Sequence, residues 1–246
     1  MSELDKDQVN GFFRKAAILH RNENAVLDVA EGQEHSNIYR NYFTANYILQ
    51  NLQLKSNEII LDFGCGVGRV SKLIAEKSFA VVGVDTNSEM IKIAKEKFSL
   101  NNKVRYQTLT KITVESKDDY FDKAFSHWVF QHINDEDSLQ WLFELKRVIK
   151  SNGKIFLFEQ IKNESAESAK HMFRSPKHYL SLIEKAELKT ISAFPVMRVP
   201  ARGMSLWNKL PAWKFLLPIV SFIDNLTLNR KPELAGYYTY CFVLSK

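Results

Sequence analysis

The run Ile59-Ile60-Leu61-Asp62-Phe63-Gly64-Cys65-Gly66-Val67-Gly68-Arg69 joins an apolar stretch of strand character to a glycine bend and then to a helical stretch. An unbroken apolar run suits a strand covered on both faces. The glycines let the chain turn sharply and let a ligand come close to the backbone. Their spacing is G-x-G-x-G, whereas a dinucleotide-binding turn needs a third glycine where Arg69 stands. Asp62 precedes the first glycine, separated from it only by Phe63. A carboxylate there attracts a cation and repels a pyrophosphate. The bend therefore implies a ligand that is nucleoside-like, cationic and free of phosphates.

Outward from the bend, strand and helix signals alternate. Val70, Leu73, Ile74 and Lys77 have helical spacing, and Phe79 to Val84 reads as a second buried strand ending in Asp85. Thr86 and Glu89 have the spacing of a capping box, which predicts a helix start there. Val104–Leu109 and Phe121–Trp128 read as the third and fourth strands. Asn134 caps the next helix, with acids at 135–137 in its first turn. Asn152-Gly153 ends that unit and Lys154 to Glu159 is a fifth strand. Ser175-Pro176 marks another helix start. Leu188 to Val196 and Tyr237 to Leu244 are the last strand candidates, and residues 1–55 read as helical. This alternation predicts a parallel sheet covered on both faces.

A chain of 246 residues allows one large α/β domain with an elaborated end. The net charge of +6 comes from scattered lysines, so it selects neither a nucleic acid nor a membrane surface. The two cysteines, Cys65 and Cys241, have no metal-ligand spacing. They predict free thiols and a reducing compartment. The N-terminal residues 1–13 lack an apolar signal core, which predicts a cytoplasmic location. The segment 206–228 is apolar but carries Lys209, Pro211, Lys214, Pro218 and Asp224, a poor composition for a spanning helix. It reads as an insertion packed over the ligand edge of the sheet, with peripheral membrane contact as the alternative.

Asp85 lies 21 residues after Gly64, where a carboxylate can accept hydrogen bonds from both ribose hydroxyls. The bland alternative, a mere helix cap, is weakened because Thr86 and Asn87 can cap instead.

At this point the sequence resembles the class I, Rossmann-like S-adenosylmethionine-dependent methyltransferases. Ile60 to Arg69 looks like their first motif, and Val81-Val82-Gly83-Val84-Asp85 with Ser88 to Ile91 like their acidic-loop motif. Tyr120 to Ser126 with Gln131-His132-Ile133 looks like the fourth-strand motif, and Arg147 to Leu157 like the entry to the fifth strand. The resemblance covers residues 58–160. It implies a three-layer α/β sandwich on a mostly parallel seven-stranded sheet with an antiparallel last strand. It also implies an N-terminal helical cap over residues 1–55, and a cofactor-binding domain over 56–246 carrying an insertion at 197–234 above the acceptor site.

The cofactor implied is S-adenosyl-L-methionine. Carried over residue by residue, Asp62, Gly64, Cys65, Gly66 and Gly68 surround its methionine half. Asp85 and Thr86 take the ribose, Met90 packs near the adenine, and Ser126 and His127 line the other side. The family often has Gly-Asp-Ala after the third strand. Gln107-Thr108-Leu109 stands there, so Thr108, Leu109 or a backbone group serves the adenine instead. Tyr39, with Tyr42, is a candidate for the cofactor's carboxylate.

The reaction implied is in-line transfer of a methyl group from sulfonium to a nucleophile, without a metal. His127, His132 and Glu159 sit at or just beyond the carboxyl ends of predicted strands and are the candidate general bases, His127 first. Trp128 and Phe130 are candidate walls for the acceptor, and Arg69, Arg198 and Arg202 candidate contacts for an anionic one. The acceptor expected is a small molecule or a glycan. RNA or protein methylation is the alternative enzyme reading. Against it, Ser126-His127-Trp128-Val129 replaces the Asn-Pro-Pro-Tyr-type tetrapeptide that grips planar nitrogens in relatives, and no basic cluster marks a nucleic-acid surface. A cofactor-binding protein without transferase activity is the non-enzyme alternative.

Overall fold

A computed structural model describes residues 4–20, 34–99, 102–162, 166–168, 171–199, 215–219, 222 and 237–246. Ile59–Phe63 forms β1, buried from Ile60 onward, as its apolar run requires. Gly64, Gly66 and Gly68 all have positive φ, and the bend they make leads into α3 (Arg69–Ala75). β2 (Ala80–Asp85), α4 (Ser88–Lys97), β3 (Val104–Thr108) and β4 (Phe121–His127) follow, and a 3-10 turn at Phe130–His132 leads to α5 (Asp135–Val148). Next come β5 (Ile149–Ile161), a short hairpin of β6 (Ala166–Glu167) and β7 (Met172–Phe173), then α6 (Pro176–Lys185), β8 (Lys189–Val199) and β9 (Tyr237–Ser245). Two helices, α1 (Lys6–His20) and α2 (Glu34–Leu52), precede β1.

The main sheet has seven strands in the order β3-β2-β1-β4-β5-β9-β8, parallel except where β9 runs against both of its neighbours. The chain works outward from β1 to β3 and then returns to lay β4 on the other side of β1. That reversal opens a crevice at the carboxyl ends of β1 and β4, where sheets of this kind bind ligands.

Two apolar clusters cover the faces. Leu61, Phe63, Phe121, Leu142, Leu145, Leu157 and others pack under α5 and α6. On the other face Tyr39, Phe43, Tyr47, Ile48 and Leu52 bring α2 down onto Ile60, Phe125, Phe156 and Phe158. Each such buried side chain contributes about 1.5–3 kcal/mol. Helix α1 packs separately on α4, with Ala17 and Phe13 against Val67, Met90 and Ile93.

Several local expectations change. The cap of α4 is Asn87, whose Oδ1 accepts from the amides of Glu89 and Met90 at 3.1 and 3.2 Å, so Thr86 is outside the helix. Asn152-Gly153 does not end a unit: β5 starts at Ile149, and these residues bridge an irregularity in its register with β4. A Cβ at Gly153 would stand 2.8 Å from the Asp122 carbonyl, which is why glycine occupies the site. β8 runs through Val199, so residues 197–199 belong to the sheet rather than to the insertion. Of the rest of the 197–234 insertion, 215–219 and 222 are described, and Leu217 is buried in the α2-side cluster while Phe215, Ile219 and Phe222 are exposed. Arg202, Trp207, Trp213 and the Arg198 side chain lie outside the described residues.

Candidate functional site

The crevice is a cavity of about 440 Å³. Asp62, Gly64, Cys65 and Gly66 of the bend line it, as do Asp85 and Thr86 from the end of β2, Met90 from α4, Leu109 after β3 and His127 from β4. Widely separated stretches of sequence thus meet on one wall, including the two acids on which the reading of the bend depends.

The bend is held from below. The amides of Gly64 and Cys65 both donate to the Val84 carbonyl, at 2.8 and 3.0 Å, and a Cβ on Gly64 would stand 2.3 Å from Val129. Gly68 begins α3 with φ +83°, and a Cβ there would meet the Tyr106 hydroxyl at 2.3 Å. Asp85 ties the bend to β2: its Oδ2 accepts from the Gly66 amide at 2.9 Å and its Oδ1 from the Asn87 amide at 2.8 Å. Because Asn87 does the capping, Asp85 remains at the cavity wall. Carboxylate oxygens carry two lone pairs each, so both can accept further hydrogen bonds.

Asp62 is buried and accepts from Ser71 Oγ at 2.6 Å. Burial pushes its carboxyl up to about 7, against the pull of the Ser71 hydrogen bond and the Arg69 charge. Burial likewise raises Asp85, opposed by the amides it binds. Two buried acids beside a glycine bend are costly unless a cation or hydroxyls arrive. This donor set fits an adenosyl sulfonium with its ammonium group and does not fit a pyrophosphate.

Seven expected contacts are absent from the cavity lining, among them Phe130, buried in the cluster under α5, and Tyr42, packed on the α2-side cluster. Ser126 is fully buried and spends its hydroxyl on Glu159 at 2.7 Å. Glu159 is also fully buried and accepts from the amides of Val129 and Phe130 at 3.3 and 3.1 Å. Its position is that of a brace for the turn after β4, with burial raising its carboxyl to about 7. Tyr39 is fully buried in the α2 packing. Gly68 serves the start of α3, and Thr108 pairs with Asp85 across the sheet.

His127 lines the cavity, but its environment is not that of a base. Its Nε2 is hydrogen-bonded to the Tyr47 hydroxyl, and its ring stacks on Trp128 with centroids 4.5 Å apart. Burial first, then the Arg69 charge, holds its pKa well below the ordinary histidine value. His132 also lines the cavity, edge-on to Phe13 at 5.1 Å and 4.8 Å from His171 between ring centroids.

Sequence reasoning missed the contribution of α1, which lines the cavity with Lys6, Val9, Phe12 and Phe13, and missed Tyr47, Gln131 and His171. A stripe at 39, 43 and 47 marks one helix face, and nothing local says that face reaches the end of β4. Among the described residues no group of three or more His, Cys, Asp or Glu side chains could hold a metal ion, and no helix is long and apolar enough to cross a membrane.

Comparison with known proteins bears on the family and the fold. The family model described as Methyltransferase domain matches residues 61–157. Phosphoethanolamine N-methyltransferase 1 of Caenorhabditis elegans is 27% identical over 138 residues, 54% of this chain and 29% of that protein. Ubiquinone biosynthesis O-methyltransferase of Nitrosomonas europaea is 29% identical over 169 residues, 67% of this chain and 62% of that protein. The chain thus spans under two thirds of either relative. The structure of Haemonchus contortus phosphoethanolamine N-methyltransferase 1, in complex with phosphoethanolamine and S-adenosylhomocysteine, superposes with a TM-score of 0.67 at 15% identity. That match covers 98% of this chain and 49% of the Haemonchus protein.

Proposed function

Because the chain carries a class I, Rossmann-like S-adenosylmethionine-dependent methyltransferase domain, we propose that the protein transfers a methyl group to the oxygen or nitrogen of a small-molecule or glycan acceptor. The observation that carries this reading is that Asp62, Asp85 and the glycine bend open on one cavity. S-adenosylmethionine, when bound, supplies an electrophilic methyl group on a sulfonium. Asp62 holds the ammonium of its methionine half, Gly64, Cys65 and Gly66 give that half a close backbone surface, and Asp85 with Thr86 takes the ribose. Met90 and Leu109 pack against the adenine.

The rest of the cavity is the acceptor's. Phe13, Trp128 and Ile133 give it apolar walls, while Gln131, His132 and His171 offer polar groups. Holding acceptor and donor aligned supplies about 7–11 kcal/mol of the barrier reduction in reactions of this kind. If the acceptor is a hydroxyl, His132 is the candidate to take its proton. Helix α1 lines the cavity with Val9, Phe12 and Phe13, which supports a small acceptor over a nucleic-acid or protein chain. The exposed Phe215, Ile219 and Phe222 suit the peripheral membrane contact considered for 206–228, with a lipid-soluble acceptor as its rationale.

Calorimetric titration of the full chain tests the cofactor assignment. S-adenosylhomocysteine is expected to bind tightly and NAD to give no heat; the opposite pattern would remove the reading. Transfer of labelled methyl from S-adenosylmethionine to a panel of amines, phenols and sugars then identifies the acceptor. Tight product binding with transfer to no member would favour a cofactor-binding role.

A further inference from the structure

Tyr47 lies on α2, outside the stretch matched to the methyltransferase family, and is 6% exposed. Its hydroxyl meets Nε2 of His127, the last residue of β4, and its ring packs 5.5 Å from that of Phe158. The imidazole is held from a second side by Trp128, in the left-handed region at φ +59°, whose indole N–H donates to Thr239 Oγ1 at 3.0 Å. Three elements therefore fix this ring: α2 fixes one nitrogen, and the stretch after β4 with β9 fixes the plane.

Burial keeps the phenol protonated, so Tyr47 donates and Nε2 accepts. A neutral imidazole accepting at Nε2 carries its hydrogen on Nδ1. Among the described residues Tyr47 is the hydrogen-bond partner of the ring. His127 thus brings a neutral N–H donor to the cavity wall. Arg69 lines the same wall, and its charge acts on Tyr47, His127 and Asp62 alike. A guanidinium and a fixed N–H donor suit an anionic oxygen, and the adjacent Asp62 suits a cation. Together they match the two charged ends of a free α-amino acid group.

We propose that Tyr47 is a positioning residue that locks His127 as the Nδ1–H tautomer, and that His127 and Arg69 together bind the carboxylate at the amino-acid end of the donor. This rests on the reading that the cavity takes S-adenosylmethionine. It removes His127 from the candidate bases: its task is to orient the donor, so that the methyl group faces the acceptor.

The test compares S-adenosylhomocysteine with decarboxylated S-adenosylmethionine by calorimetry on the full chain. His127→Ala is expected to weaken the carboxylate-bearing ligand about tenfold or more and to leave the decarboxylated one unchanged. His127→Asn, which keeps an N–H donor, retains more of the affinity than His127→Ala. Tyr47→Phe shows a smaller loss with the same selectivity. In nitrogen-15 spectra the wild-type ring shows one neutral tautomer, protonated at Nδ1, and Tyr47→Phe converts it to a mixture.

Equal losses for both ligands in His127→Ala would overturn the proposal, as would a wild-type ring protonated at Nε2 or at both nitrogens. Wild-type binding of both ligands, with His127→Ala indifferent, would overturn this assignment alone. Failure of the wild type to bind either adenosyl ligand would instead strike the methyltransferase reading beneath it.

Discussion

Asp85 holds the bend and, in our proposal, the ribose, and the two tasks separate by measurement. Its oxygens hold the amides of Gly66 and Asn87, and the same carboxylate faces the space assigned to the ribose. Asp85→Ala is expected to weaken S-adenosylhomocysteine about 10- to 100-fold, since each hydrogen bond to a charged group contributes about 1.5–3 kcal/mol. The fold should survive, because Asn87 still caps α4; circular dichroism beside the titration checks this. Asp62 carries a pH signature. Its carboxyl is raised from 3.8 to about 7 by burial, and Glu159 rises similarly from 4.5. A raised acid binds its proton more tightly in the folded chain, so the ligand-free protein loses stability as pH climbs from about 4 towards about 7 and then levels off. A ligand ammonium pairs only with the ionised form. Affinity for S-adenosylhomocysteine is therefore expected to increase as pH rises through 7 and to flatten above it, with proton release visible as a buffer-dependent heat. Asp62→Asn should abolish the slope; a slope unchanged in that variant would detach Asp62 from the ligand.

Among the elements, the turn between β4 and α5 depends on partners remote in sequence. Glu159 of β5 gathers Ser126, Val129 and Phe130 from one side. From the other comes Arg174, fully buried, donating to the carbonyls of Phe130 and Ile133 at 2.6 Å each and to Asp135 Oδ1 at 2.8 Å. Asp135 also meets His178 at 2.7 Å, which links α6 to the start of α5. Removing the guanidinium would leave the buried Phe130 carbonyl and the half-buried Ile133 carbonyl without it, while Asp135 keeps His178 and solvent, so Arg174→Ala should cost about 1–3 kcal/mol in denaturant unfolding. Arg174→Lys should recover little, because an ammonium cannot span the fork of carbonyls and carboxylate. Sequence patterning could not reveal such a brace. Apolar periodicity located β1 to β4 and α5 because burial of a face writes itself into local spacing. Asn134 and Ser175 were readable as caps for the same local reason. A buried arginine looks like any surface arginine until the fold closes, and the β6–β7 hairpin is too short to leave a period. That the glycine bend and Asp85 share one cavity wall was legible, because both carry their chemistry in residue type and spacing. The rest of the cavity, which we assign to the acceptor, was not, because α1, the turn at 130–133 and the stretch around His171 supply its lining.

For the molecule as a whole, the described N-terminal helices join the sheet in different ways. Helix α2 is bound into the core through Tyr39, Phe43, Ile48 and Leu52. Helix α1 reaches the rest through contacts that include a small cluster with α4, an ion pair between Lys6 and Asp137 and the Phe13–His132 ring contact, and it supplies Val9, Phe12 and Phe13 to the cavity wall. The exposed Phe12, Ile18 and Leu19 show how little of its surface is covered. An element with few buried contacts opens at lower free energy than the sheet it rests on. Ligand that touches both should therefore stabilise α1 more than β1 or β4. At a concentration 100 times Kd, a ligand adds about 2.7 kcal/mol to global stability, which for a chain of this size raises Tm by about 5–10 °C. Hydrogen exchange with and without S-adenosylhomocysteine should show its largest added protection in residues 6–20, and Phe13→Ala should reduce both that protection and the Tm shift. Protection confined to the glycine bend, with α1 exchanging as fast as before, would mean that the helix rests beside the cavity without closing it.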